Sequence, residues 1–386
     1  MVNNKITYLD GVRGIAALIV TFHHYSLAFY PALYTSAISD THYGNGELEL
    51  FIPSSPLGIF FNGKFAVMMF YTLSGYVLSY SYLQHKDFNL LISLAVRRYF
   101  RLNIPIIFSI LLASGLMYLH LFYNKEASQF TKSIWWLGSF WDFSLSANDI
   151  IYTSFLGIFI SDSHFNNVLW TMTTEIWGSF FVLFLLALFG NFKNRFVVYF
   201  IVFLYLVLFQ KYDFICFLFG LILCDCRTDI KKIAFIRNKF FKLMVLFLII
   251  MYGSYPLHGL QSALDIYKYF SLFNIVDPTI YYTIAAIFVL FLCDQSSTLI
   301  KVFSSSVILF MGRISFSLYL VHALVIGSYS SFIFLKLHEH FGYNTSAAIT
   351  IISSYLVLIP LSYLLTETVD KSSITISKKI YRLLSM

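Results

Sequence analysis

Residues 8–24 read Tyr8-Leu9-Asp10-Gly11-Val12-Arg13-Gly14-Ile15-Ala16-Ala17-Leu18-Ile19-Val20-Thr21-Phe22-His23-His24. A polar entrance passes into an apolar run, and two histidines sit deep inside that run. The pattern predicts a membrane helix with Asp10 as its N-cap, because a carboxylate there accepts from the first free N–H groups. Arg13 and His24 are separated by three helical turns plus about 20°, so both face one way, with a rise of roughly 16 Å between them. That rise is about half of a ~30 Å hydrocarbon core. His23 points about 100° away. One helix face thus carries a fixed cation near a membrane surface and a titratable base near mid-depth. Lipid is a costly place for both, so this face is expected to turn toward protein. In the plainer alternative Arg13 snorkels to the interface and His24 bonds a neighbouring helix.

The rest of the chain fits that setting. Its 386 residues are 59% hydrophobic and only 12% charged, against about a quarter charged in soluble domains. The reading is an all-α, polytopic membrane protein with about ten transmembrane helices, at 11–33, 64–83, 103–122, 167–189, 196–210, 212–225, 241–256, 278–293, 311–334 and 347–365. The apolar run 150–160 is too short to span, and so is either re-entrant or at the outer interface.

Charge placement agrees. With the N-terminus in the cytoplasm, only Lys64, Lys125, Lys132, Lys211, Lys268 and Lys336 of the 26 basic residues fall outside, and every arginine falls inside. This is the positive-inside pattern, and it puts both termini in the cytoplasm. Residues 1–366 are expected to form the membrane domain and 367–386 a short basic tail. The net charge of +7 suits anionic lipids rather than nucleic acid. Four cysteines make no disulfide framework, and no His or Cys set has the spacing of metal ligands.

Polar groups recur where lipid should forbid them. Arg98 and Arg101 lie one turn apart before the third helix, a pair suited to phosphate or to lipid headgroups. Glu175, counted from the outer surface, comes to a depth near that of His24. It could orient the imidazole, or pair with an arginine for packing. Ser315, Tyr319 and His322 form one stripe on the ninth helix, where interhelical hydrogen bonding is the structural alternative. Phe70-Tyr71-Thr72-Leu73-Ser74-Gly75-Tyr76 places a small pair mid-helix, read as close packing. Trp135, Trp136 and Trp141 in the outer loop 123–166 suit an interfacial anchor or a carbohydrate-stacking patch.

Taken together, Tyr8 to Gly14 with Arg13 and His24, Phe70 to Tyr76, Arg98 and Arg101, Trp170 to Glu175, and Ser315 to His322 resemble the membrane acyltransferase-3 family. Its members are multi-span acyltransferases of bacterial cell-envelope carbohydrates. The resemblance runs over nearly the whole chain, in the family's order. It implies the inner membrane of a bacterium as the setting, and an O-acyltransferase, most often an O-acetyltransferase. The donor would be acetyl-CoA or another acyl-CoA used from the cytoplasm, with no tightly bound cofactor. The acceptor would be a hydroxyl of lipopolysaccharide, capsule, exopolysaccharide or a lipid-linked sugar.

By position the resemblance makes His24, Glu175 and Arg13 catalytic and gives the donor to Arg98, Arg101 and Arg13. Ser315, Tyr319, His322 and Trp170 would line the pocket or meet the acceptor. Two local departures are Thr171-Met172-Thr173-Thr174 in place of a Ser-Leu-Ser-Val-like run, and Ile176-Trp177-Gly178 after the glutamate. Neither removes a charge. Many relatives carry an added extracytoplasmic hydrolase-like domain; without one, the acceptor would bind the membrane core or arrive with a partner. The competing class is a transporter or lipid-linked sugar exporter with a His/Glu proton relay, but the chain has no two-half repeat.

Overall fold

The computed structural model describes residues 6–257, 266–270 and 277–384, and these are helical with connecting turns throughout. Lys5 of the inner basic set and residues 385–386 of the tail lie outside the described residues. The longer helices are α1 (Thr7–Phe29), α2 (Gly63–His85), α3 (Phe88–Tyr118), α4 (Ala147–Ile160), α5 (Trp170–Phe189), α6 (Arg195–Leu208) and α7 (Tyr212–Asp225). They continue with α8 (Lys239–Gly253), α9 (Thr279–Gln295), α10 (Ser306–Val325), α11 (Ser331–His338), α12 (Tyr343–Leu365) and α13 (Lys371–Leu384). Each of the ten expected stretches falls on a helix. Among the described residues, five helical segments are long and apolar enough to cross a membrane: Thr7–Phe29, Phe88–Tyr118, Asn167–Phe189, Ser306–His338 and Tyr343–Leu384. A sixth appears if α9 and the short helix Ser297–Phe303, bent by 103°, count together.

Local chemistry sets several boundaries. Asn62 caps α2 by accepting from Phe65 N–H, Asp87 caps α3 through Asn89 N–H, and Ser146 caps α4. Lys86 ends α2 in the left-handed region at φ 53°. The start of α1 differs from expectation. It begins at Thr7, and Asp10 lies within its first turn, where it accepts from Arg13 instead of capping.

Two close crossings organise the core. On α1, any side chain at Gly14 would strike the Gly312 backbone of α10, and one at Gly312 would strike the Asp10 backbone. Gly75 of α2 and Gly220 of α7 meet backbone in the same manner. Small residues let helices approach this far, and close packing is what holds helices together in an apolar solvent. Gly312→Val is therefore expected to cost about 1–3 kcal/mol by overpacking. Gly115→Ala, on a glycine with nothing within 4 Å, should gain about 0.5–1 kcal/mol. Thermal unfolding of the two variants in detergent checks both signs.

The C-terminal segment continues the last long helix. α12 passes through a π-helical stretch, Thr366–Asp370, into α13. α13 buries Ser373 and Ser377 and packs along α3, where Ser373 Oγ donates to the Arg101 carbonyl at 3.3 Å.

Candidate active site

Two polar centres lie along α1. One, called outer after the expected orientation, gathers around His24. Its Nδ1 is 2.7 Å from Nε2 of His322 on α10. The Trp136 ring, from the outer loop, stacks on the same imidazole at 5.4 Å and 14°. The neighbouring His23 ring lies 5.2 Å from His24. Its Nδ1 is 2.8 Å from the Phe61 carbonyl, and it packs so closely on Gly63 that a side chain there would collide. Tyr34 meets His23 edge-on and stacks on Trp135, which is exposed. Small neighbours and aromatic rings thus hold both histidines in place.

The inner centre is a lattice of charge. Arg98 of α3 donates from Nε to Ser179 Oγ at 2.8 Å and from Nη2 to Ser74 Oγ at 2.8 Å. The same Nη2 forms an ion pair with Glu175 of α5. Ser74 in turn donates to Glu175 Oε1 at 2.5 Å, and Ser179 to the Glu175 carbonyl at 2.6 Å. Arg13 pairs with Asp10 at 3.1 Å. The charges of Arg98, Arg13 and Arg101 all bear on Glu175, and those of Arg101 and Arg13 on Asp370. Arg13 keeps 29% of its side-chain surface accessible, and Arg98 and Glu175 keep 12% each. Arg101 is exposed, and among the described residues its guanidinium makes no hydrogen bond or ion pair. It faces like charges on Arg98, Arg13 and Arg97.

The expected contact between Glu175 and His24 is not formed. Glu175 serves Arg98, and His24 meets His322. The cause lies in how α5 begins. The short helix Asn167–Leu169 ahead of it is not at the surface: Phe165 and Asn166 are fully buried and Val168 nearly so. Asn166 Nδ2 donates to the Leu320 carbonyl at 2.7 Å, and Tyr319 Oη donates to the Val168 carbonyl at 2.9 Å. Thr171 and Tyr319 hydroxyls also meet, at 2.6 Å. Counting down from this anchor on α10, Glu175 sits about 10 Å deeper than His322 and His24.

The remaining expected residues divide. His322 joins the outer centre, whereas Tyr319 is buried as the anchor just described. Ser315 bonds the Gly312 carbonyl of its own helix at 2.8 Å. Trp170 is 39% exposed, with Lys64 Nζ 5.2 Å from its ring centre, away from the histidines. Trp136, Ser74 and Ser179 were not singled out as site residues by sequence, although Ser179 falls one helical turn after Glu175. No group of three or more His, Cys, Asp or Glu side chains among the described residues could hold a metal ion.

A histidine pair above and an arginine–glutamate lattice below, on crossing membrane helices, make an arrangement suited to acyl transfer. Residues 6–367 match the family model of the acyltransferase domain Acyl_transf_3. The chain belongs to the acyltransferase-3 family and is an acyltransferase. Over 430 aligned residues it is 23% identical to the O-acetyltransferase PaAT-1 of Phomopsis amygdali, covering 98% of this chain and 85% of that protein. No solved structure gives a significant match. The family match ends just before α13.

Proposed function

We propose that this protein is an integral-membrane O-acetyltransferase that carries acetyl from cytoplasmic acetyl-CoA to a hydroxyl of a cell-surface or lipid-linked carbohydrate. In this reading ten helices cross the cytoplasmic membrane and both chain ends face the cytoplasm. The relative named an O-acetyltransferase supports the reaction. One observation carries the rest: a base and a guanidinium cluster occupy opposite ends of one face of α1. The cluster suits the phosphates of the donor, since arginine forks bind them through charge-assisted bonds. Among the described residues Arg101 has all its guanidinium donors free for this task, and Arg98 keeps Nη1 beyond the bonds it makes to Ser74, Ser179 and Glu175.

The chemistry is a direct transfer. The acceptor hydroxyl oxygen attacks the thioester carbonyl carbon while His24 Nε2 takes the hydroxyl proton. The carbon–sulfur bond then breaks, and the proton passes to the departing thiolate, giving free CoA and the acetyl ester.

Purified protein in detergent should unfold at a higher temperature with acetyl-CoA present, by about 2.7 kcal/mol of added stability at a hundredfold excess over Kd. Arg101→Ala should leave the unliganded midpoint unchanged and weaken this response by about 10–100-fold in Kd, the worth of one charged hydrogen-bonding group. A wild-type midpoint indifferent to acetyl-CoA at millimolar concentration would remove the donor from the proposal. Mass spectrometry of surface glycans from cells with and without the gene then identifies the acceptor.

A further inference from the structure

Two hydrogen bonds decide where the protons sit on the histidine pair. His322 Nδ1 lies 3.1 Å from the Leu318 carbonyl oxygen, one turn back on α10. A carbonyl only accepts, so this nitrogen carries a hydrogen. The ring is fully buried, and a buried imidazolium without a counter-charge is costly. His322 is therefore neutral, and its Nε2 holds a lone pair. That lone pair faces His24 Nδ1 at 2.7 Å, so the His24 nitrogen must donate. The His24 ring also bonds the Val20 carbonyl, one turn back on α1, the position from which the Leu318 carbonyl meets His322 Nδ1. Nδ1–H of His24 is thus shared between Val20 and His322, and Nε2 is left with its lone pair and no side-chain hydrogen bond among the described residues. Trp136, stacked within 14° of parallel, holds the plane of the ring. His23 is tied separately, through Nδ1, to the Phe61 carbonyl, and so does not compete for His322.

Building on the reading of His24 as the base, we infer that His322 is its positioning residue, holding it in the one tautomer whose Nε2 can accept the acceptor's proton. The chain of bonds runs from the Leu318 carbonyl through His322 to His24. It ends on a lone pair, as a general base requires. Once His24 is protonated, its Nδ1–H still points at His322 Nε2, and the bond becomes charge-assisted and stronger. The same geometry thus serves both protonation states without rearrangement. A carboxylate often orients a catalytic histidine. Here a neutral ring does so, which avoids a second fixed charge in the apolar outer half of the protein.

The test uses membranes carrying the full chain, supplied with acetyl-CoA and followed by release of the CoA thiol. His322→Phe keeps the ring's shape but removes the acceptor. It should lower the maximal rate by about 10²-fold or more, within the range of general-base effects, while leaving the KM for acetyl-CoA unchanged. His322→Gln places an amide oxygen near the lost nitrogen and should stay within about tenfold of wild type, since the amide oxygen can accept in its place. Nitrogen-15 spectra of histidine-labelled protein should show His24 as the Nδ1–H form in wild type and the Gln variant, and as a mixture in the Phe variant. A Phe variant with wild-type rate, or an Nε2–H form of His24 in wild type, would overturn the assignment. Should the Phe variant fail to accumulate, the wild-type and Gln spectra decide alone. If His24→Ala itself keeps full activity, the reading of His24 as the base falls first, and that outcome is distinct from failure of His322 alone.

Discussion

Replacing His24 with alanine is expected to slow acetyl transfer by about 10²–10⁴-fold while the protein still reaches the membrane in normal amount. The rate falls because a hydroxyl is a poor nucleophile until its proton has somewhere to go, and His24 Nε2 is where that proton goes in the proposed reaction. Stability should change less. The imidazole is only half-buried, but its loss leaves His322 Nε2 without a partner and opens space beneath Trp136. An unpaired buried acceptor costs about 1–3 kcal/mol. Thiol release from acetyl-CoA by membranes, normalised to the amount of protein, reads the effect. Activity within threefold of wild type would remove His24 from the chemistry.

Replacing Glu175 with alanine should act on the fold rather than on the base. Removing one partner of a largely buried ion pair typically costs about 3–5 kcal/mol, because the surviving charge is left uncompensated. Here the survivor is Arg98, held by two serines that cannot neutralise it. A sharp fall in the unfolding midpoint is the expected result. The double variant Arg98→Met, Glu175→Leu removes both charges and should recover much of the loss, since apolar replacement of a buried pair is often neutral or stabilising. It should still bind acetyl-CoA poorly, separating the structural duty of the pair from its duty toward the donor. A Glu175→Ala protein as stable as wild type would show that Arg98 has another counter-charge.

The sequence made some of this legible because helical geometry is rigid. The spacing of Arg13 and His24 placed them on one face, and both do belong to polar centres along α1. Arg98 and Arg101 were readable for the same reason. The partners were not. His24 and His322 stand 298 positions apart, and nothing local to either says which helix will bring the other. Of the two partners the sequence allowed Glu175, the structure has the arginine, because the start of α5 is tied to α10 and not placed by its own apolar run. Asn166 and Val168 are buried against α10, while Trp170, the first residue of α5, stays exposed. The glycine crossings at Gly14 and Gly312 were likewise hidden, since a single glycine in an apolar run does not reveal what it touches. Trp136 was noticed for its ring, but its seat on His24 depends on how a long loop folds back.

The π-helical stretch Ile326–Ser330 has a consequence for how such proteins diverge. A π bulge takes in one residue beyond the regular winding, which turns everything past it by about 100°. His322, before the bulge, and Phe334, beyond it, both reach α1, at His24 and at Phe29, because the extra residue brings the two onto one side. The loosened winding also presents the Gly327 carbonyl to Tyr123 N–H at 2.9 Å, at the start of the loop that carries Trp136. Loss of a single codon here would keep the reading frame and leave the arginine end untouched. It would nonetheless swing the outer end of the helix and unfasten the lid over the histidines. In the proposed reading, gain or loss of that one residue would alter the acceptor side and leave the donor side alone.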